Sequence, residues 1–138
     1  ARLPKVICLC SDGELEEGQV WEAFMAASKF KLNHLTFIID RNGIQIDGFT
    51  ENVMPLEPLK GKLENFGLLV IEVDGHNHDS LNNALKFDQA YQSKPTAIIA
   101  HTIPGKDVEF MEDRPIWHGK PPNIGEAVEA LQELNHHD

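Results

Sequence analysis

Basic residues are scarce. Twelve Lys and Arg stand against 22 Asp and Glu in a chain of 138 residues, giving a formal net charge of −10. A chain this acidic has no basic footprint for nucleic acid or for an anionic membrane surface. It can hold a phosphate only through a local device, such as a metal ion or the N-terminus of a helix. Cysteine is nearly absent as well. Cys8 and Cys10 lie two apart in an apolar run, so on a strand both face the same way. They are too close in sequence for an unstrained bridge and read as reduced core residues, as in a cytoplasmic protein. No apolar stretch approaches the ~20 residues that span a bilayer. The apolar part of the N-terminus is too short for a signal peptide. Internal repeats and low-complexity segments are also missing.

What is present is the composition of one ordinary globular domain over residues 1–138, with 41% hydrophobic and 25% charged residues. The first strand begins almost at once and no Met precedes it. The chain is therefore expected to open inside a domain, as a fragment or an unusually short subunit would.

Val6 to Cys10 is a continuous apolar run, expected to be a strand buried on both faces. From Glu16 to Lys31, Val20, Phe24, Ala27 and Phe30 recur at helical spacing. Further strands are expected over Leu35–Ile39, Leu68–Val73 and Thr96–Ala100, and helices over Leu59–Phe66, Ser80–Tyr91 and Gly125–Leu134. A Gly- and Pro-bearing loop is expected up to about Pro58, and irregular chain from Ile103 to Pro122. His136 and His137 at the tail are read as unstructured. Strands alternating with helices specify an α/β fold, a parallel sheet flanked by helices with right-handed crossovers. Ligands in such sheets gather at the carboxyl ends of the strands. Three polar clusters stand there: Asp12-Gly13, Asp40 to Gly43, and Asp74-Gly75-His76.

Asp12 follows one strand and Asn42 the next, so a strand–helix–strand unit brings both to one edge of the sheet. A carboxylate, an amide oxygen and nearby carbonyls form a hard-oxygen set suited to Mg²⁺ or Ca²⁺. Gly13 allows close approach of backbone, and the helix beginning near Glu16 or Glu17 offers N–H groups to an anion. Together these describe a metal-bridged diphosphate site. Taken bare, Asp-Gly and Asn-Gly are more often plain turns.

The run Ser11-Asp12-Gly13-Glu14-Leu15-Glu16-Glu17-Gly18-Gln19-Val20-Trp21-Glu22-Ala23 resembles the thiamine diphosphate (ThDP) signature of transketolases. The likeness continues through Asp40-Arg41-Asn42-Gly43-Ile44-Gln45-Ile46-Asp47-Gly48, Val73 to His76, Ala100-His101-Thr102, Gly105-Lys106 and Trp117-His118-Gly119. It spans nearly the whole chain, in order. It implies a ThDP-binding fold of the kind that takes the pyrophosphate end of the cofactor, incomplete on its N-terminal side. The resemblance implies that Asp12 and Asn42 bind Mg²⁺ (or Ca²⁺) through side chains and Ile44 through its carbonyl. Ser11 stands in the signature's first glycine position. Gly13 and Glu14 would offer N–H groups to the diphosphate, and Ile46 would pack near the thiazolium ring, with plain core as its competing explanation. His118 would meet the diphosphate and handle protons at the substrate. Glu17 and Glu22 would join a network at a subunit interface, against a helix-end charge and a solvated helix face as the simpler accounts. His76 and His78 have a spacing that suits a metal or a solvated loop equally, while Trp21 and Trp117 read as packing residues.

Two departures stand out. Ser11 replaces the signature's first glycine, and Asp107 makes the Pro104–Asp107 loop less friendly to anions. The resemblance also implies missing parts: a preceding N-terminal piece, and a pyrimidine-binding partner subunit that supplies the glutamate activating the cofactor. The expected activity is transfer of a two-carbon ketol unit from a ketose to an aldehyde acceptor, with sugar phosphates as substrates and only with partner chains. The alternatives are a degenerate subunit that binds a partner without catalysis, or part of a deoxyxylulose phosphate synthase or a 2-oxo acid dehydrogenase E1 component. The Trp-His-Gly segment and the Gln45–Gly48 loop favour transketolase.

Overall fold

The computed structural model describes residues 4–135, so His136 and His137 lie outside the described residues. Four parallel strands form the main sheet in the order β1-β2-β6-β5: β1 Val6–Ser11, β2 Leu35–Arg41, β5 Leu69–Asp74 and β6 Thr96–His101. A small antiparallel hairpin, β3 Ile44–Gln45 and β4 Gly48–Phe49, follows β2. The helices are α1 Gly18–Lys29, α2 Thr50–Val53, α3 Leu59–Asn65, α4 His78–Ala90 and α5 Ile124–Leu134. The expected α/β class, with a parallel sheet flanked by helices, is what the chain forms.

Side-chain alternation along the strands divides the sheet into two faces. One carries Cys10, Phe37, Ile39, Ala97 and Ile99, which pack with Phe24 and Ala27 of α1 and with Leu59 and Leu63 of α3 into one apolar cluster. Edge-on aromatic contacts give it shape: Trp21 meets Phe24 at 5.7 Å and Phe24 meets Phe37 at 4.9 Å between ring centres. The opposite face carries Thr36, Ile38 and Ile98 and is covered by α4, which buries Ala84 and Asp88. Asp88 is held there by two donors, Lys5 Nζ at 2.7 Å and Thr36 Oγ1 at 2.6 Å.

Several expectations need correction. β1 is not buried on both faces: Val6, Ile7 and Leu9 are exposed, Leu9 at 71%. β1 is an edge strand, and nothing among the described residues covers its half of the α4 face. Cys10 is in the core as expected, but Cys8 is exposed, although the two thiols share a face with their sulfurs 3.8 Å apart. Phe30 is exposed because α1 ends at Lys29 and Phe30 is its C-cap. The loop expected to reach Pro58 contains the β3–β4 hairpin and α2. The irregular stretch contains a 3-10 turn at Pro115–His118. α5 begins with a reciprocal cap between Asn123 and Glu126 but buries none of its residues. No helix among the described residues is long and apolar enough to cross a membrane.

The buried Asp88 ties the residues before β1 to α4 across most of the chain. Truncating it strands the Lys5 ammonium and the Thr36 hydroxyl. Asp88→Ala is expected to lower unfolding free energy by about 2–4 kcal/mol, measured by urea denaturation.

Candidate functional site

All three polar clusters lie at the carboxyl ends of the strands. Ser11 pairs with Asp40, and both Arg41 and Asp74 pair with His101. The Asp12 N–H donates to the Asp40 carbonyl at 3.1 Å, one step past the β1–β2 ladder. The chain then tightens into a 3-10 turn, Gly13–Glu16, before α1 begins. Leu15 plugs this turn into the core, and Trp21 Nε1 donates to the Leu15 carbonyl at 2.7 Å.

Asp12 is completely buried. Its Oδ1 accepts from the Gly13 N–H at 2.8 Å. Its Oδ2 accepts from the Gly43 N–H at 2.6 Å and from Arg41 Nη1 at 2.9 Å. The carboxylate therefore staples the loop after β1 to the loop after β2, where Asn42 and Ile44 sit. The same loops meet through Gly13, where a Cβ would fall 2.8 Å from Gln45 Cβ. Asn42 is oriented from both ends of its amide. Its Oδ1 accepts from the Ile44 N–H at 2.9 Å, and its Nδ2 donates to Asp40 Oδ2 at 3.1 Å. Thr102 after β6 donates its hydroxyl to the other Asp40 oxygen.

Arg41 is the residue that sequence reasoning passed over. Its side chain is only 8% exposed. Besides Asp12, it donates to Thr50 Oγ1 at 2.7 Å, Glu51 at 2.7 Å and Glu57 at 3.1 Å. Burial lowers its pKa, but the bonds to Asp12 and Glu57 outweigh that and hold it above its ordinary value. The one available signal was a basic residue inside the polar Asp40–Asn42 run, opposite to both neighbours in strand alternation. Glu16 was also missed. Its Oε1 is buried without a hydrogen-bond partner, and its pKa is raised by burial first and then by Asp12, Asp47, Glu17 and Glu51.

The other expected residues fall into three groups. Ser11 Oγ accepts from the Glu14 N–H at 3.2 Å, so the Gly13 and Glu14 amides both donate inside the loop and would have to exchange these bonds for a phosphate oxygen. His118 is exposed in its 3-10 turn, which packs on the hairpin; a cavity of about 110 Å³ is lined by Ile44, Gly105, Trp117 and His118. Trp117 anchors that turn by donating Nε1 to the Phe110 carbonyl at 2.8 Å, beneath Lys120 Nζ at 4.0 Å. Ile46 is 80% exposed, which removes plain core as its explanation. Glu17 and Glu22 are exposed at the start of α1 and along it, and join none of the bonds around Asp12. His76 Nε2 accepts from the Ile103 N–H at 2.7 Å, tying the loop after β5 to the loop after β6. Among the described residues no group of three His, Cys, Asp or Glu side chains could hold a metal, so the His76–His78 spacing makes no such centre. Asp107 pairs with its neighbour Lys106 at 3.4 Å.

Residues 4–136 match the family described as transketolase, thiamine diphosphate binding domain. The chain belongs to that family. It is 41% identical over 130 residues to one subunit of the apulose-4-phosphate transketolase of Actinobacillus succinogenes, covering 94% of this chain and 47% of that protein. It is 40% identical over 130 residues to human transketolase, covering 94% of this chain and 20% of the human protein. The structure of Campylobacter jejuni transketolase superposes with a TM-score of 0.88 at 32% identity, covering 96% of this chain and 21% of that one. The chain thus spans about half the length of relatives such as the Actinobacillus protein and about a fifth of the single-chain transketolases.

The residues present suit the group that this family binds. Asp12 Oδ1 has accepted one bond and retains a lone pair, and so has Asn42 Oδ1. Together with the Ile44 carbonyl they are hard oxygens borne by two stapled loops, the donor type that could hold Mg²⁺ or Ca²⁺. The bare α-carbon of Gly13 lets the loop pack directly against Gln45, where a Cβ would fall 2.8 Å from the Gln45 Cβ.

Two outcomes are expected. Gly13→Ala forces the loops apart and costs about 1–3 kcal/mol of stability in chemical denaturation. For Glu16 the folded pKa lies above the unfolded one, so ionising it costs stability progressively as the pH rises from the unfolded value, and fully above the folded one. Glu16→Gln is therefore expected to be more stable than wild type at neutral pH, with the difference vanishing at about pH 3, where the carboxyl is protonated in both states.

Proposed function

We propose that this chain supplies the diphosphate- and metal-holding half of a transketolase-type site. With a further N-terminal piece and a pyrimidine-binding partner subunit, it transfers a two-carbon ketol unit from a ketose phosphate to an aldehyde acceptor. The observation that carries this reading is the Asp12 carboxylate, which joins its own loop after β1 to the segment after β2 that bears Asn42 and Ile44. The half-length Actinobacillus relative is named as one subunit of its enzyme, which supports a partner chain here. Unpaired Cys8 and Cys10 suit a cytoplasmic location.

In this reading Asp12, Asn42 and Ile44 hold Mg²⁺, or Ca²⁺ in its place. Ser11, Gly13 and Glu14 hold the diphosphate by giving up their internal bonds to it. Exposed Ile46 offers an apolar surface to the thiazolium ring and keeps water from it. Bound ThDP supplies the nucleophilic carbon that takes up and returns the two-carbon unit. His118, exposed beside the cavity it shares with Ile44, contacts the diphosphate and exchanges a proton with a substrate hydroxyl oxygen. Glu17 and Glu22 face the partner and link the cofactor sites.

Calorimetric titration of ThDP with Mg²⁺ into the complete protein, without and then with its partner chain, tests this. Binding is expected with the partner, and Asp12→Ala is expected to weaken it by about two orders of magnitude. His118→Ala is expected to lower turnover by about 10²–10⁴-fold while the protein still binds cofactor. Absence of binding in every mixture would instead identify a non-catalytic scaffold subunit.

A further inference from the structure

Both lone pairs of Asp12 Oδ2 are engaged, one by the Gly43 N–H at 2.6 Å and one by Arg41 Nη1 at 2.9 Å. Oδ1 has a single donor, the Gly13 N–H at 2.8 Å. The two oxygens of this carboxylate are therefore unequal: only Oδ1 retains electron density to give to an ion. Arg41 cannot turn away easily. Its side chain is 8% exposed, Nη1 also donates to Thr50 Oγ1, and Nη2 donates to Glu51 and Glu57. The segment that follows the hairpin thus locks the cation against Oδ2 from behind.

We propose that Arg41 is a specificity-determining residue for the divalent ion, because it restricts Asp12 to coordination through one oxygen and so favours Mg²⁺ over Ca²⁺. The inference rests on the function proposed above. Mg²⁺ demands near-ideal octahedral geometry and takes carboxylates through single oxygens, whereas Ca²⁺ accepts six to eight ligands and takes carboxylates in either mode. Two-oxygen coordination by Asp12 requires displacing Arg41 or the Gly43 amide. The positive charge of Arg41 repels both divalent ions alike, so it cancels in the ratio of their affinities. That ratio isolates the geometric effect from charge and from general loosening of the fold.

The test uses the complete protein with its partner chain. ThDP is titrated calorimetrically with Mg²⁺ or with Ca²⁺ as the only divalent ion, for wild type, Arg41→Met and Arg41→Lys. Removing the guanidinium is expected to move the Ca²⁺-to-Mg²⁺ affinity ratio toward Ca²⁺ by about tenfold. Lysine keeps the charge but cannot hold Oδ2, Thr50 and both glutamates at once, so it shifts the ratio the same way by a smaller factor. If Arg41→Met fails to fold, Arg41→Lys decides the matter by the same ratio. A ratio unmoved in variants that still bind ThDP overturns this inference alone. Failure of wild type to bind ThDP with either ion overturns the proposed function, and this inference with it.

Discussion

The structure at the carboxyl end of this sheet depends on one buried anion. A carboxylate removed from water is costly unless donors surround it. Asp12 has three, and each comes from a different part of the local chain: the Gly13 amide just after β1, the Arg41 guanidinium at the end of β2, and the Gly43 amide entering the hairpin. Satisfying that charge fixes where the two loops stand relative to each other. Through Arg41 the constraint reaches Thr50, Glu51 and Glu57, and so sets the position of α2 and the chain beyond it.

A second set of ties works outward from Asp40. Its carboxylate receives the Asn42 amide on one oxygen and the Thr102 hydroxyl on the other, and His76 joins Ile103 across the same edge. The loops after β2, β5 and β6 are thereby linked while the strands beneath them stay rigid. The Trp117 anchor does the same for the His118 turn. Asp12, Asn42 and His118 stand in turns outside the strands, but each of these turns is bonded to a strand end or to a neighbour that is. This is how loops can carry chemistry that needs defined geometry.

The architecture was legible because it rests on local patterns. Apolar runs and helical spacing placed β1, β2, β5, β6 and the main helices to within a few residues, and the Asp12–Asn42 spacing placed both residues at one edge. What was not legible depends on partners distant in sequence. Arg41 looked like part of a strand stop, yet it stays in β2 because Asp12, Thr50, Glu51 and Glu57 receive its donors from 29, 9, 10 and 16 positions away. The hairpin hid in a segment whose Gly and Pro content reads as loop. The burial of β1 failed for a different reason: an apolar run records what a strand is suited to touch, and sheet order decides whether anything is there. Asp12 and Gly13 do meet the segment that carries Asn42 and Ile44, whereas Glu17 and Glu22 join none of the bonds between those loops.

The edge position of β1 has a consequence for the chain during synthesis and storage. Its outer backbone groups are unpaired among the described residues, and Ile7 and Leu9 lie bare beside them. An exposed apolar edge of this kind is a template for the edge of another molecule. α5 adds a stripe of Ile124, Val128 and Leu131 that also faces outward. A protein with these surfaces uncovered tends to pair with itself, strand to strand, before a slower and correct association can occur. Its yield of usable material would therefore depend on how soon after translation those surfaces are covered, and production together with whatever covers them would protect it from aggregation.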